Sequence, residues 1–403
     1  MMCDFASGSP SLLAKDLVRE ATMEMLRIDE NLEGEKHPLS YGVPGGDPVF
    51  LNILASWLTS MYGRETKRED LMITAGASHG LDLVLGTIGA EQKSRSRFLV
   101  FVENPTYFKA IKTIRDRLCE VVAVETDDEG IIPSSLRRTV MNSEFDVAAL
   151  YVIPTFSNPR GGTLSEKRRV EILQICIENG VKFVIEDDPY SMLSVRSRSI
   201  KRLVEIPSHE IVVFSLGSFS KIVAPGLRCG WIETRSKYWN QNLRDNGVLS
   251  SGGCISHFTS RILQTAIQRR DLLTGHVKML RREYLRRGEL MYSELSKHIQ
   301  DVDENIIIRK PSGGVFIWIS LPEHLDANVL LKRCTNSREG FSPVKFRCGN
   351  LFSPSGDFRH CFRVSFSKMD DSRIIEGSRR LGHELQIMNN EISSGSPSFS
   401  SRL

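Results

Sequence analysis

Ser215-Leu216-Gly217-Ser218-Phe219-Ser220-Lys221-Ile222-Val223-Ala224-Pro225-Gly226-Leu227-Arg228-Cys229-Gly230 is the stretch from which the chain is best read. An apolar, β-branched run at 211–215 leads into it and has the length of a strand. Small residues then carry the chain past Lys221, and Arg228 follows seven positions later. A lysine in an open loop is ordinarily a solvated side chain. Just past a buried strand, among small residues and near a second cation, its ammonium form is disfavoured. Its amine is then available as a nucleophile.

Working outward, strand-like runs at 70–74, 98–103, 121–124, 147–153, 182–186, 211–215 and 229–233 alternate with amphipathic stretches. In 165–179, Ser165 is placed to cap a helix, Val170, Leu173 and Ile177 form an apolar stripe, and Gly180 ends it. This alternation predicts an α/β domain whose mostly parallel sheet is covered on both faces. Beyond about 255 the pattern changes. A charge-studded helix at 275–299 is followed by GGVFIWISLP (313–322), a helix near 327–334, a strand at 362–366 and a helix at 372–385. The resulting division is an N-terminal segment, 1–40, packing with the small domain; a large ligand-binding α/β domain, 41–274; a small α+β domain, 275–388; and a Ser-rich disordered tail, 389–403.

Composition narrows the function. Among 403 residues, Lys plus Arg number 53 and Asp plus Glu 49, a net charge of +4. That excess is too small for a nucleic-acid or anionic-membrane footprint, and no apolar run approaches the roughly 20 residues of a membrane span. The eight cysteines form no CxxC pair and no metal-finger spacing, so they read as reduced thiols with no metal. The opening MMCDFASGSP carries Asp4 and no Arg before Arg19, unlike a mitochondrial presequence. A soluble, cytoplasmic protein is expected.

In open α/β sheets, ligands sit beyond the carboxyl ends of the strands. The run 70–74 ends in Gly76-Ala77-Ser78-His79-Gly80, a small-residue turn opening a helix and a natural phosphate cup. The run 147–153 leads to Asn158 in PTFSNPRG, and 182–186 to Asp187-Asp188-Pro189-Tyr190. Singly, these read as a packing turn, a turn asparagine and solvated or capping carboxylates. With Lys221 they make four polar stations along one sheet edge, a far more specific pattern.

SFSKIVAPGLRCG, with NPRGG and EDDPY upstream, resembles the fold-type-I pyridoxal 5'-phosphate (PLP) aminotransferases of classes I and II, in particular the 2-aminoadipate, kynurenine and aromatic aminotransferase branch. The resemblance covers about 39–385. It implies that Lys221 holds PLP covalently and moves the substrate's α-proton, and that Asp187 keeps the pyridine nitrogen protonated. Tyr190 and Asn158 would bond the phenolic oxygen, Asn158 also facing the substrate. Ala77, Ser78, Ser218, Ser220 and Arg228 would grip the phosphate, and Tyr107 would stack on the ring. Arg363 would take the substrate α-carboxylate. Tyr41 and Gly46, in LSYGVPGGDP, would reach the neighbouring site of a homodimer with shared active sites.

The implied reaction moves the amino group of an amino acid (2-aminoadipate, aromatic or similar) to a 2-oxo acid such as 2-oxoglutarate. Two alternatives remain: another PLP reaction, β-elimination or decarboxylation, and a non-catalytic sensor of this fold. Against a sensor fused to a DNA-binding domain stand the short, basic-poor stretch before Tyr41 and the presence of Lys221 and Asp187. The chain departs from its relatives at Ser220, where some carry a basic phosphate ligand, and at Ala77, which lacks a hydroxyl. His79 either caps the helix or packs. GGVFIWISLP and Phe352 read either as an apolar wall of the site or as core.

Overall fold

The computed structural model describes residues 2–29, 32–33, 37–92, 96–195, 200–251, 256–269, 272–336 and 338–394. Its strands are β1 (Cys3–Asp4), β2 (Leu71–Thr74), β3 (Phe98–Asn104), β4 (Glu120–Asp127), β5 (Gly130–Ile131), β6 (Val147–Val152), β7 (Phe183–Asp187), β8 (Val212–Ser218), β9 (Gly230–Glu233), β10 (Ile307–Ile308), β11 (Phe316–Ser320), β12 (Val344–Lys345), β13 (Arg347–Cys348) and β14 (Cys361–Ser365). The seven apolar runs between 70 and 233 are all strands of one eight-stranded sheet, ordered β2-β9-β8-β7-β6-β3-β4-β5. Its middle, from β4 to β8, is parallel; β9, β2 and β5 are antiparallel additions.

Because side chains alternate across a strand, one apolar run feeds two cores. Val100, Val102, Ala149, Tyr151 and Ile185 face one side, with the helices Ala77–Ala90 and His257–Gln268. Leu99, Phe101, Ala148, Leu150 and Val184 face the other, with the helices Pro133–Met141 and Glu166–Glu178. Both faces are dry, so these strands are apolar throughout.

Ser165 caps the helix Glu166–Glu178 as expected, its hydroxyl accepting from Arg168 N. The buried stripe differs from the expected one: Val170 is exposed, and Arg169, Ile172, Leu173, Ile175 and Cys176 point inward. The cause is Arg169. Its buried guanidinium donates to Leu164 O, Pro154 O and Thr155 Oγ1 and lies 3.8 Å from Glu186, which turns the helix away from its apolar periodicity.

A second, antiparallel sheet runs β10-β11-β14-β13. The N-terminal segment packs beside it: β1 pairs with β12 in parallel as a separate two-stranded sheet, and Ser365 N of β14 donates to Phe5 O. The last helix spans Asp371–Ser393, so the tail expected from 389 is helical as far as 393. Met388 is buried and Asn389 Nδ2 donates to Val302 O, which ties that turn down. Residues 395–403 of that tail lie outside the described residues. No described helix is long and apolar enough to cross a membrane.

Candidate active site

The carboxyl ends of β6, β7 and β8 open into a cleft of about 320 Å³, closed on the far side by β11, β13, β14 and residues 6–9. Lys221 reaches it three residues after β8, its Nζ donating to Gly8 O at 3.0 Å. Burial, with Arg363 nearby, brings its pKa down to about 8 against the pull of Asp187. The amine is therefore far more available than that of a solvated lysine.

Asp187 ends β7. The register pairs Tyr151 with Ile185, so Tyr151 and Asp187 share a face, and the tyrosine hydroxyl donates to Oδ2 at 2.5 Å. Oδ1 is buried and has no partner among the described residues. Burial raises the carboxyl pKa to about 6, opposed by the Tyr151 hydrogen bond and by Lys221. A buried carboxylate with one open oxygen calls for a cationic N–H donor. Tyr190 follows at 3% exposure, hydrogen-bonded to Asn158 and edge-on to Phe316.

On the opposite wall, Arg363 of β14 donates from Nη1 to Asn158 Oδ1 and from Nη2 to Ala6 O, both at 2.7 Å. Its guanidinium lies 4.1 Å from the Phe316 ring centroid. Burial, with Arg347 adding to it and Tyr190 opposing, lowers its pKa to about 10. It remains charged at neutral pH.

The turn at Gly76 opens a helix at the edge of the cleft. Gly76 has φ +92, a left-handed value suited to glycine, and a Cβ there would stand 3.1 Å from Arg228 Nη2 and 3.7 Å from Ser218 Oγ. Ala77 and Ser78 open the helix Ala77–Ala90, whose N-cap, Gly76, provides no side-chain hydrogen bond. The first amides thus face the cleft beside Arg228, itself in the left-handed region at φ 47. Arg228 Nη2 donates to Ala75 O at 2.6 Å, and Ser220 N to Ser218 Oγ at 3.1 Å. His79 Nδ1 accepts from Ala75 N, and burial lowers its pKa; it braces the turn as a neutral ring.

Tyr107 lines the cleft at the start of the helix Phe108–Asp116. Phe316, from GGVFIWISLP, also lines it, whereas Phe352 is buried against Phe108 and Trp318. Two expected site residues are not gathered within this chain. Tyr41 is 83% exposed, and Gly46 packs on Ile73 beside a separate surface hollow. Within one chain, neither lines the cleft.

The sequence reading missed the carbonyls of Ala6 and Gly8, along with Tyr151, Arg347 and Glu103. Glu103 accepts from Ile153 N at 2.9 Å, and burial raises its pKa to about 8, so it is protonated at neutral pH. Tyr151 carried a signal, a polar tip in a strand buried on both faces. Backbone carbonyls more than 200 residues from their donors carried none.

An anion cup of helix amides, two hydroxyls and an arginine; a buried carboxylate with one oxygen open; and a lysine of lowered pKa all border one cleft. That set fits a group bearing a phosphate, a protonated ring nitrogen and an aldehyde.

Comparison with known proteins agrees. The model of the family described as aminotransferase class I and II matches residues 1–381. The chain is 28% identical to the aromatic-amino-acid aminotransferase 1 of Thermococcus litoralis, over 94% of this chain and 86% of that one. It is 28% identical to the 2-aminoadipate transaminase of Thermus thermophilus, over 95% and 89%. The crystal structure of Pyrococcus horikoshii kynurenine aminotransferase, solved in complex with PMP, superposes with a TM-score of 0.83 at 27% identity, covering 96% of this chain and 91% of that one.

Proposed function

Given that the chain belongs to the class I and II aminotransferases and is a PLP-dependent transaminase of amino acids, we propose that its donor is 2-aminoadipate, an aromatic amino acid or a similar one, and its acceptor a 2-oxo acid such as 2-oxoglutarate. The names of the Thermus and Thermococcus relatives support the donor classes. The observation that carries the residue assignment is the pairing in one cleft of a buried Lys221, its pKa near 8, with a buried Asp187 whose Oδ1 is open.

When bound, PLP supplies an aldehyde that receives the amine and a protonated ring that draws electron density from the substrate's α-carbon. The chain does the rest. Lys221 Nζ would anchor the cofactor and, as a free amine, would hold the α-proton; its lowered pKa keeps it a base near neutrality. Asp187 Oδ1 holds the ring nitrogen's proton, while Tyr151 fixes the carboxylate's orientation through Oδ2. Tyr190 and Asn158 would hold the phenolic oxygen, and Tyr107, which lines the same cleft, would support the ring. The amides at Ala77 and Ser78, with Ser218, Ser220 and Arg228, bind the phosphate. Arg363 offers its fork to the substrate α-carboxylate. In a homodimer, Tyr41 and Gly46 reach the partner's site; a cytoplasmic location completes the proposal.

An absorption spectrum of the purified, PLP-loaded protein tests this. We expect the visible band to give way to pyridoxamine-type absorption on adding 2-aminoadipate or an aromatic amino acid, and to return with 2-oxoglutarate. In Lys221→Ala the covalent band should be absent. A band unchanged by every amino acid, or release of carbon dioxide or of a 2-oxo acid and free ammonia without pyridoxamine, would replace transamination with another reaction.

A further inference from the structure

Arg347 stands directly opposite Arg363 in the antiparallel pair of β13 and β14. Directly opposed residues project from the same face, and like charges there repel. Both line the cleft. Arg363 is held by two neutral acceptors, Asn158 Oδ1 and Ala6 O. Arg347 is half-buried, its guanidinium 5.7 Å from the Phe108 ring centroid, and no carboxylate among the described residues pairs with it. Several other arginines withdrawn from solvent sit beside acids: Arg202 on Glu205 and Glu233, Arg261 on Asp29, Arg380 on Glu384; Arg281 instead donates to Met192 O.

The charges bordering the cleft sharpen the contrast. The described lining holds four cations, Lys221, Arg228, Arg347 and Arg363, and a single carboxylate, Asp187, already bonded to Tyr151. With the cofactor phosphate on Arg228 and an α-carboxylate on Arg363, Arg347 still faces the cleft without a counter-charge. Two opposed guanidiniums in a partly desolvated cleft are best neutralised by a ligand with two anionic ends.

We propose that Arg347 forms a second carboxylate subsite, so that the cleft takes dicarboxylic amino and oxo acids with the α-carboxylate on Arg363 and the distal carboxylate on Arg347. The assignment of the two ends rests on the transaminase reading; the subsite itself rests on the paired arginines.

The test compares glutarate with pentanoate, equal in chain length and different by one carboxylate, titrated calorimetrically into the PLP-loaded protein. The parent should bind glutarate at least roughly tenfold more tightly. Arg347→Gln should weaken glutarate binding by roughly 10- to 100-fold, the range for a lost hydrogen bond to a charged group, and bring the two ligands to similar affinity. Arg347→Lys should recover part of the preference, since the charge returns without the fork. Equal affinities in the parent, a preference that survives Arg347→Gln, or equal weakening of both ligands would each overturn the subsite; the last would mark Arg347 as structural. The spectral assay separates this from the transaminase reading. An Arg347-dependent preference in a protein that no amino acid converts would keep the subsite and remove the transaminase. Conversion by amino acids with no preference would do the reverse.

Discussion

Asp187 is the residue at which burial and function are most closely joined. In the cofactor-free chain its pKa is raised from 3.8 to about 6, first by burial. Between those values the unfolded chain releases a proton that the folded chain keeps. The carboxyl's contribution to stability is therefore complete only below about pH 4 and is lost as pH rises through 6, by about 3 kcal/mol in all at about 1.4 kcal/mol per pKa unit. Asp187→Asn has no proton to lose. Urea unfolding of the cofactor-free proteins at pH 4 and pH 6 should show the variant gaining on its parent by about 2 kcal/mol, since some unfolded chains are already ionised at pH 4 and about half of the folded ones are still protonated at pH 6. A difference that stays constant across the interval would mean that Asp187 is already ionised at pH 4. Much of this cleft was legible once its strand-end positions were taken together rather than singly. Lys221, Asp187, Asn158, Tyr190 and Arg228 each follow or flank a strand within a few residues, so local sequence carries them. Arg347 and Tyr151 were not legible, because their meaning comes from a partner across a strand pair.

At the scale of elements, the strand-to-helix turn at Gly76 sets the N-terminus of Ala77–Ala90, proposed above to hold the cofactor phosphate, at the cleft. Gly76→Ala asks an L-residue to hold φ +92 and places its Cβ 3.1 Å from Arg228 Nη2. We expect PLP to bind at least roughly tenfold more weakly, equivalent to about 1.4 kcal/mol, measured by cofactor titration of the stripped protein. Unchanged affinity would show that the turn relaxes without loss to the cup. The sheet strands were legible because a parallel sheet dry on both faces demands unbroken apolar runs, as in FLVFVEN of β3. The short β5 offers only two residues to read. The outward turn of Val170 was hidden because an apolar count treats the buried Arg169 as surface. The extra turns after Leu385 rest on tertiary contacts, Met388 in the core and Asn389 on Val302 O, that no local pattern announces.

At the scale of the whole molecule, the cleft of one chain lacks Tyr41 and Gly46, and the proposal that they serve a partner has its own test. Tyr41→Ala and Lys221→Ala chains, each inactive or nearly so, are unfolded together and refolded as a mixture. In a shared-site dimer, each mixed pair holds one intact site, so roughly a quarter of the parental activity should return with random pairing. No return of activity would confine each site to a single chain. Far-apart segments of one chain also meet at this cleft. Residues 3–8 are held by β12, β14 and Lys221, and β1 meets its partner strand only at Val344. At translation rates of roughly 5–20 residues per second, the roughly 340 intervening residues take on the order of tens of seconds to emerge. The segment that contributes the carbonyls of Ala6 and Gly8 thus leaves the ribosome early and waits for its seat. A nascent chain can carry a finished lysine loop while its cleft still lacks one wall, so competence to bind substrate comes only with the last strands made.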